Sequence, residues 1–330
     1  MKISIGLPTR DSARTLGEAL ESALSQDFGD FELIVADNAS TDGTRDLVGA
    51  FRDPRIRYHR HPEDLGYTRN ARWCLERAEG EIMAFLCSDD YWRKDFLGSC
   101  LKAFRSSDRV TLAYSAYDVL RQDPDGILRF LKPPRIRRPA LCGGIDYVRE
   151  EFARPVTILS GSVFRRRTAL EAGSFGDPSL RFLPDFVHRL RVAARGDVAF
   201  VNEPLAVYRV HGGSLGARSR AVEWLHEEMR LMDALAGDVE FRDAGLERLR
   251  PKRQRSVAHF IAQRMADMKE WGASRGEIAA LASMLRDALG PGALTPRGIL
   301  LTLMAYLLPP AALRVLRRMT WRARGRERKG

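Results

Sequence analysis

The segment Ile82-Met83-Ala84-Phe85-Leu86-Cys87 is apolar without interruption, and after Ser88 it stops at two adjacent carboxylates, Asp89 and Asp90. A buried strand normally ends in a neutral turn, because ionised groups are costly to desolvate unless something compensates them. Two acids at the carboxyl end of a core strand therefore point to a cation, held where open α/β sheets bind their ligands. A solvated turn in which Asp90 caps the following helix is the competing account. The remainder of the chain has to decide between them.

The preceding segments repeat one pattern. Ile3 to Leu7 alternates and ends at Pro8, as a first strand and turn do. Asp11 or Ser12 then stands where a cap would start a helix carrying Leu16, Leu20 and Leu24 at intervals of four. Phe31 to Ala36 reads as a second strand, closed by Asp37 and a polar loop through Thr44, with a short helix to Phe51. Gly66 precedes a helical segment, Tyr67 to Glu79, which Gly80 would close as its C′ residue. Strand, helix, strand, helix at this spacing predicts βαβ units and a parallel sheet. Asp37 and the Asp89-Asp90 pair would then open on the same sheet edge.

At 330 residues the chain is long enough for one large domain and a smaller one. Its net charge is +11, and 47 of its 54 basic residues are Arg. Arg is the better bidentate partner for phosphate, so nucleic acid, anionic lipid and phosphorylated substrates are all admissible. The four cysteines (74, 87, 100 and 142) form no CxxC pair and read as reduced thiols of a cytoplasmic protein. No signal-peptide core follows Met1, and no apolar run reaches 18 residues.

From Tyr114 to Pro155 the periodicity weakens. Arg121, Arg129, Lys132, Arg135, Arg137 and Arg138 sit among prolines there, as in an irregular basic loop over a site. Asp185 opens a helix to Arg195; Val198–Val201 and Leu205–Tyr208 read as two short strands, followed by Arg209-Val210-His211-Gly212-Gly213. Past residue 216 only helical patterns remain. Ile299 to Leu308 is almost wholly apolar, and after Pro309-Pro310 come Arg314, Arg317, Arg318, Trp321 and Arg322. An apolar stretch leading into a basic helix is the composition of a segment lying in a lipid interface. A helix packed on the protein with a basic tail is the plainer account. The domains implied are 1–215, α/β, and 216–330, helical.

Several stretches in order carry a resemblance: Ile5 to Thr9, Ser25 to Phe28, Phe31 to Thr44, Gly66 to Asn70, Phe85 to Asp90, Pro184-Asp185 and Tyr208 to His211. Together they resemble the family 2 inverting glycosyltransferases of the GT-A fold, a Rossmann-like, mainly parallel sheet flanked by helices. The resemblance implies transfer of a sugar from a nucleoside-diphosphate donor, a UDP-sugar, to a hydroxyl, in the assembly of bacterial cell-surface polysaccharide or glycolipid. It places Pro8, Thr9, Asp37 and Arg69 at the nucleotide, although Asp37 could be a turn residue and Arg69 a salt-bridge partner. It puts Asp90 on a divalent metal, magnesium or manganese, with Asp89 on ribose or metal and His211 as an occasional further ligand. It makes Asp185 the catalytic base, a role compatible with opening its helix. Two departures stand out: Cys87 replaces the first acid of the commoner motif, and Pro184 replaces a Glu. The metal pair and the base are well separated in sequence, as they should be, since a metal-bound carboxylate is a poor proton acceptor.

Two other readings stay open. A sugar nucleotidyltransferase would need a Gly-rich, basic loop after the first strand, which Gly6-Leu7-Pro8-Thr9-Arg10 does not offer. A non-enzymatic membrane or nucleic-acid adaptor would need a continuous basic stripe with aromatics. The expected partners are a nucleotide-sugar, a glycan or lipid-linked glycan acceptor and an anionic membrane surface reached by the C-terminal segment, with no nucleic acid. The expected location is the cytoplasm, peripheral on the inner face of the cell membrane.

Overall fold

Ile3–Thr9 (β1) is buried at every position, because it is a central strand covered on both faces. The computed structural model describes residues 1–122, 126–131, 136, 138–173, 175, 180–212, 221–270, 273–289, 296–310 and 312–313. After β1 come α1 (Leu16–Leu24), β2 (Phe31–Asp37), α2 (Thr44–Ala50), β3 (Ile56–Arg60), α3 (Tyr67–Arg77), β4 (Ile82–Phe85), β5 (Tyr91–Trp92) and α4 (Phe96–Ser106). Next are β6 (Val110–Gln122), β7 (Leu128–Leu131), β8 (Leu141–Gly143), α5 (Gly144–Ala153), β9 (Ser162–Arg165), α6 (Arg166–Ala172), α7 (Pro184–Ala194) and β10 (Asp197–Val210). The chain ends in helices α8 (Ala221–Gly237), α9 (Arg250–Glu270), α10 (Arg275–Leu289) and α11 (Pro296–Leu307).

Contacts divide the chain into two compact units. The first, residues 1–118, 133–148 and 156–209, holds a sheet of order β3-β2-β1-β4-β9-β6-β10-β5. The β3-β2-β1-β4 strands pair in parallel, as the βαβ pattern predicts. The β4/β9, β9/β6 and β10/β5 pairs are antiparallel. Thr9 lies opposite Asp37 in the β1/β2 register, so the carboxyl ends of these strands share one edge.

Three local expectations change. Asp11 and Ser12 do not cap α1, whose N-terminal residue Thr15 makes no side-chain cap bond. Asp11 instead takes a left-handed φ of 46° and accepts from Thr41 N at 2.7 Å, tying the loop after β1 to the loop after β2. Gly80 is not a C′ glycine: α3 stops at Arg77 with Ala78 extended. Glycine is needed at position 80 because a Cβ would lie 2.7 Å from Lys2 O and Ser4 N on β1. The two short strands expected after residue 197 are one, β10. Pro204 falls between the β8 pairing at 197–199 and the β5 pairing at 206–207.

The second unit, residues 119–132, 149–155 and 210–330, contains the β6/β7 hairpin and helices α8 to α11. Helix α9 packs against α8, α10 and α11. The hairpin replaces the irregular basic loop over a site that the sequence predicts here, as far as residue 131. Arg121 is buried and divides its guanidinium between Asp267 and Glu270, each at 2.5 Å, while Arg129 lies on β7. Arg138, in the first unit, lies over the rings of Tyr147 and Tyr114. Lys132, Arg135 and Arg137 lie outside the described residues, as do Arg314, Arg317, Arg318, Trp321 and Arg322.

Candidate active site at the carboxyl edge of the sheet

The loops leaving β1, β2 and β4 are cross-stitched at the sheet edge. Asp11 N donates to Ser40 Oγ (2.9 Å), Ala13 N to Asp42 Oδ2 (3.0 Å), and the Ser12 and Ser88 hydroxyls lie 2.9 Å apart. Asp42 also accepts from Thr44 N at 3.0 Å, a turn role rather than a ligand role.

Asp37 ends β2 fully buried, accepting from Ser40 N (2.9 Å) and Tyr58 Oη (2.6 Å), with Arg60 Nε 3.9 Å away. Burial, then the bond to Asp37, raises the Tyr58 pKa, so the phenol stays a donor. Beside Asp37 in the register, Thr9 is buried and its Oγ1 has no hydrogen-bond partner among the described residues. Buried hydroxyls are almost always satisfied, so this one is the kind of group a ligand completes. Pro8 precedes it on β1. Arg69 is exposed in the first turn of α3. Its neighbour Asn70 is buried and anchors that helix, donating to Ala36 O at 2.9 Å.

Past β4 the chain turns sharply, with Asp90 N donating to Cys87 O at 3.0 Å. Asp90 is buried, and both of its oxygens are engaged: Oδ2 accepts from Ser160 Oγ (2.6 Å) and Oδ1 from Arg209 N (2.9 Å). Burial and then the Asp89 charge push the Asp90 pKa well above the usual carboxylate range. Asp89 is half-buried, and its backbone carbonyl accepts from Arg209 Nε at 2.9 Å. Arg209 also pairs with Glu18 on α1.

The ligand atoms of Cys87, Asp89 and Asp90 all lie within 4.8 Å of one another. Two carboxylates forced together, one with a strongly raised pKa, fit a divalent cation, which would offset the cost of ionising both. The Cys87 thiol adds a softer donor, and burial holds its pKa well up, as do Asp90 and Asp89.

Asp185 occupies the first turn of α7 behind Pro184 at the first helical position, where proline is preorganised and a carboxylate suits the helix dipole. Its Oδ2 accepts from Arg189 Nη1 at 2.6 Å. The Asp185 charge contributes to the raised pKa values of both Tyr67 and Cys87, behind burial and, for Cys87, behind Asp90 and Asp89. His211 directly follows β10, in the second unit.

Sequence reasoning missed Ser160, Arg209 and Tyr67. Ser160 grips the acidic turn three times: its Oγ accepts from Cys87 N (3.0 Å) and donates to Asp90, and its carbonyl accepts from Trp92 Nε1 (2.5 Å). Nothing in the pattern around Thr157–Phe164 marks it, since its partners lie some seventy residues earlier. Arg209 was within reach, lying two residues before His211 in a stretch already singled out. Tyr67 follows Gly66 at the start of α3, and burial, then Cys87 and Asp185, raise its pKa.

The family described as "Glycosyl transferase family 2" matches residues 4–167. A putative teichuronic acid biosynthesis glycosyltransferase, TuaG, of Bacillus subtilis is 28% identical over 218 residues, 65% of this chain and 81% of its own length. The Escherichia coli UDP-Glc:alpha-D-GlcNAc-diphosphoundecaprenol beta-1,3-glucosyltransferase WfaP is 29% identical over 218 residues, 65% of this chain and 80% of its own. Among solved structures, S. aureus TarS 1-349 in complex with UDP-GlcNAc aligns over 96% of this chain and 92% of its own, with a TM-score of 0.59 at 15% identity. The mannosyltransferase PcManGT of Pyrobaculum calidifontis, in complex with GDP-Man and Mn2+, aligns over 95% and 87%, with a TM-score of 0.55 at 19% identity. At these identities the structural likeness is one of fold.

Proposed function

Because the chain belongs to glycosyl transferase family 2, with the GT-A architecture, we propose that it is an inverting transferase using a UDP-sugar donor. Its acceptor is a hydroxyl of a lipid-linked glycan, in bacterial cell-surface polysaccharide or glycolipid assembly at the inner face of the membrane. The name of WfaP supports the donor and acceptor classes, and that of TuaG supports a role in polysaccharide assembly. The catalytic domain is assigned to residues 1–215 and the helical region to 216–330, with the difference that residues 119–132, 149–155 and 210–215 group with the helices. The single observation that carries the reading is the cluster of Cys87, Asp89 and Asp90 after β4, whose ligand atoms lie within 4.8 Å of one another.

Pro8, Thr9, Asp37 and Arg69 bind the nucleoside end of the donor, and the unpartnered Thr9 Oγ1 supports that placement. Asp90 and Asp89 would hold a divalent metal, magnesium or manganese, with Asp89 alternatively on the ribose. Such an ion supplies positive charge where the departing diphosphate becomes more negative. Asp185 takes the proton of the acceptor hydroxyl as that oxygen attacks the anomeric carbon. The bond from that carbon to the diphosphate oxygen breaks on the opposite side, its electrons leave with the diphosphate, and the configuration inverts through an oxocarbenium-like transition state. Arg189 fixes the base by binding Oδ2, which leaves Oδ1 for the acceptor.

Asp185→Asn tests this. The amide keeps an oxygen for Arg189, so the variant should fold and still be stabilised by UDP-sugar with Mn2+. Transfer should fall about 10²–10⁴-fold, the usual contribution of a positioned base. Transfer at wild-type rate would remove Asp185 from the chemistry, and a protein indifferent to nucleotide would end the transferase reading.

A further inference from the structure

Helix α11 is amphipathic in an unusual sense. One side packs on α9 and α10 and buries Ala305 completely. The other exposes Ile299 (46%), Leu300 (57%), Leu303 (49%), Tyr306 (42%) and Leu307 (59%). At 100° per residue these five fall within an arc of about 120°, a continuous apolar stripe. They are five of the twelve large apolar side chains exposed among the described residues. A patch of this kind on a protein surface marks an interaction site.

Length and charge together identify the occupant. Twelve residues make a helix about 18 Å long, short of the roughly 30 Å hydrocarbon core, and no described helix is long and apolar enough to cross a membrane. The stripe therefore suits a partner it lies upon. Downstream of α11, residues 314–330 carry seven Arg and one Lys against a single acid, Glu327. A second copy docked on this face would bring two such segments together and be repelled. An anionic lipid surface would neutralise them, each cation near such a surface adding to the attraction.

We propose that the Ile299/Leu300/Leu303/Tyr306/Leu307 face of α11 lies in the interfacial layer of an anionic bilayer, drawn there by the positive charge of the sequence that follows the helix. The inference rests on the reading above that the acceptor is lipid-linked, and it names the surface that delivers the enzyme there.

The test uses the full chain with vesicles of phosphatidylcholine, alone or mixed with phosphatidylglycerol, in a sedimentation assay. The wild type should bind the mixed vesicles at least tenfold more tightly than phosphatidylcholine alone, and lose that preference in high salt. Leu300→Glu/Leu303→Glu/Leu307→Glu, on an already exposed face, should keep the wild-type melting temperature and lose at least tenfold in vesicle binding. Unchanged binding in the triple variant would overturn the proposal. So would a wild-type dimer, seen by light scattering without lipid, that the variant converts to monomer. Transfer to a detergent-dispersed acceptor separates the two readings. Transfer retained by a variant that no longer sediments supports the docking face, whereas failed docking in a wild type that still transfers overturns the face and leaves the transferase standing.

Discussion

The Ser160 hydroxyl donates to Asp90 Oδ2 at 2.6 Å while accepting from Cys87 N at 3.0 Å, so one side chain sets both ends of the acidic turn. A residue between β8 and β9 thereby orients a carboxylate that follows β4. Outer partners of this kind typically matter 10- to 100-fold for a metal site.

Ser160→Ala removes the donor to Asp90 and the acceptor for Cys87 together, both in a buried setting. Stability should fall by about 1–3 kcal/mol, and affinity for Mn2+ in the presence of UDP-sugar by about 10- to 100-fold. Ser160→Thr, which retains the hydroxyl, should recover most of the metal affinity. Titration of Mn2+ by electron paramagnetic resonance reads this directly. A Ser160→Ala protein that is less stable but binds Mn2+ normally would show that the serine only holds the fold.

His188 on α7 is fully buried against Phe175 and Phe164, neither ring nitrogen has a partner among the described residues, and its pKa is lowered to about 3, by burial first and then by Arg189, Arg195 and Arg191. With an unfolded value of about 6.5, the unfolded chain takes up this proton first on acidification. The stability is therefore complete above about pH 6.5 and erodes as pH falls toward about 3. Between pH 7 and pH 5 this one group should account for about 2 kcal/mol. Urea denaturation of His188→Leu at both pH values should show a shallower loss than the wild type. Equal slopes would mean that the imidazole is hydrated or paired in solution.

Gly80→Ala should cost about 1–3 kcal/mol or more, because the added methyl meets the backbone of β1, which cannot move aside. Gly29→Ala, where a Cβ has nothing within 4 Å, is the matched control and should be nearly neutral. Thermal melts of the two variants side by side check the contrast. A Gly80→Ala protein as stable as the control would mean that β1 and the segment leaving α3 are not held this closely.

The parallel β3-β2-β1-β4 core was legible in the chain because periodicity and strand-ending acids are local signals. Hydrophobic runs reveal a buried strand wherever it occurs, and Asp37 and Asp89-Asp90 mark the sheet edge in the sequence itself. The stretch from 114 to 155 was misread for the converse reason. Arg121 is charged, and only the approach of Asp267 and Glu270, nearly 150 residues later, turns it from a surface residue into a buried ion pair. Gly80 shows the same limit in small: its glycine signal was read as helix termination, while its cause is a strand packed against it.

The sequence alone determined which strands are buried and which of them end in carboxylates, since both follow from desolvation costs paid by neighbours in the chain. Tertiary structure alone decided what those carboxylates touch. Ser160 and Arg209 reach the acidic turn from two separate elements, and hydrogen bonds between residues 70 to 120 positions apart leave no periodicity for a one-dimensional reading to detect.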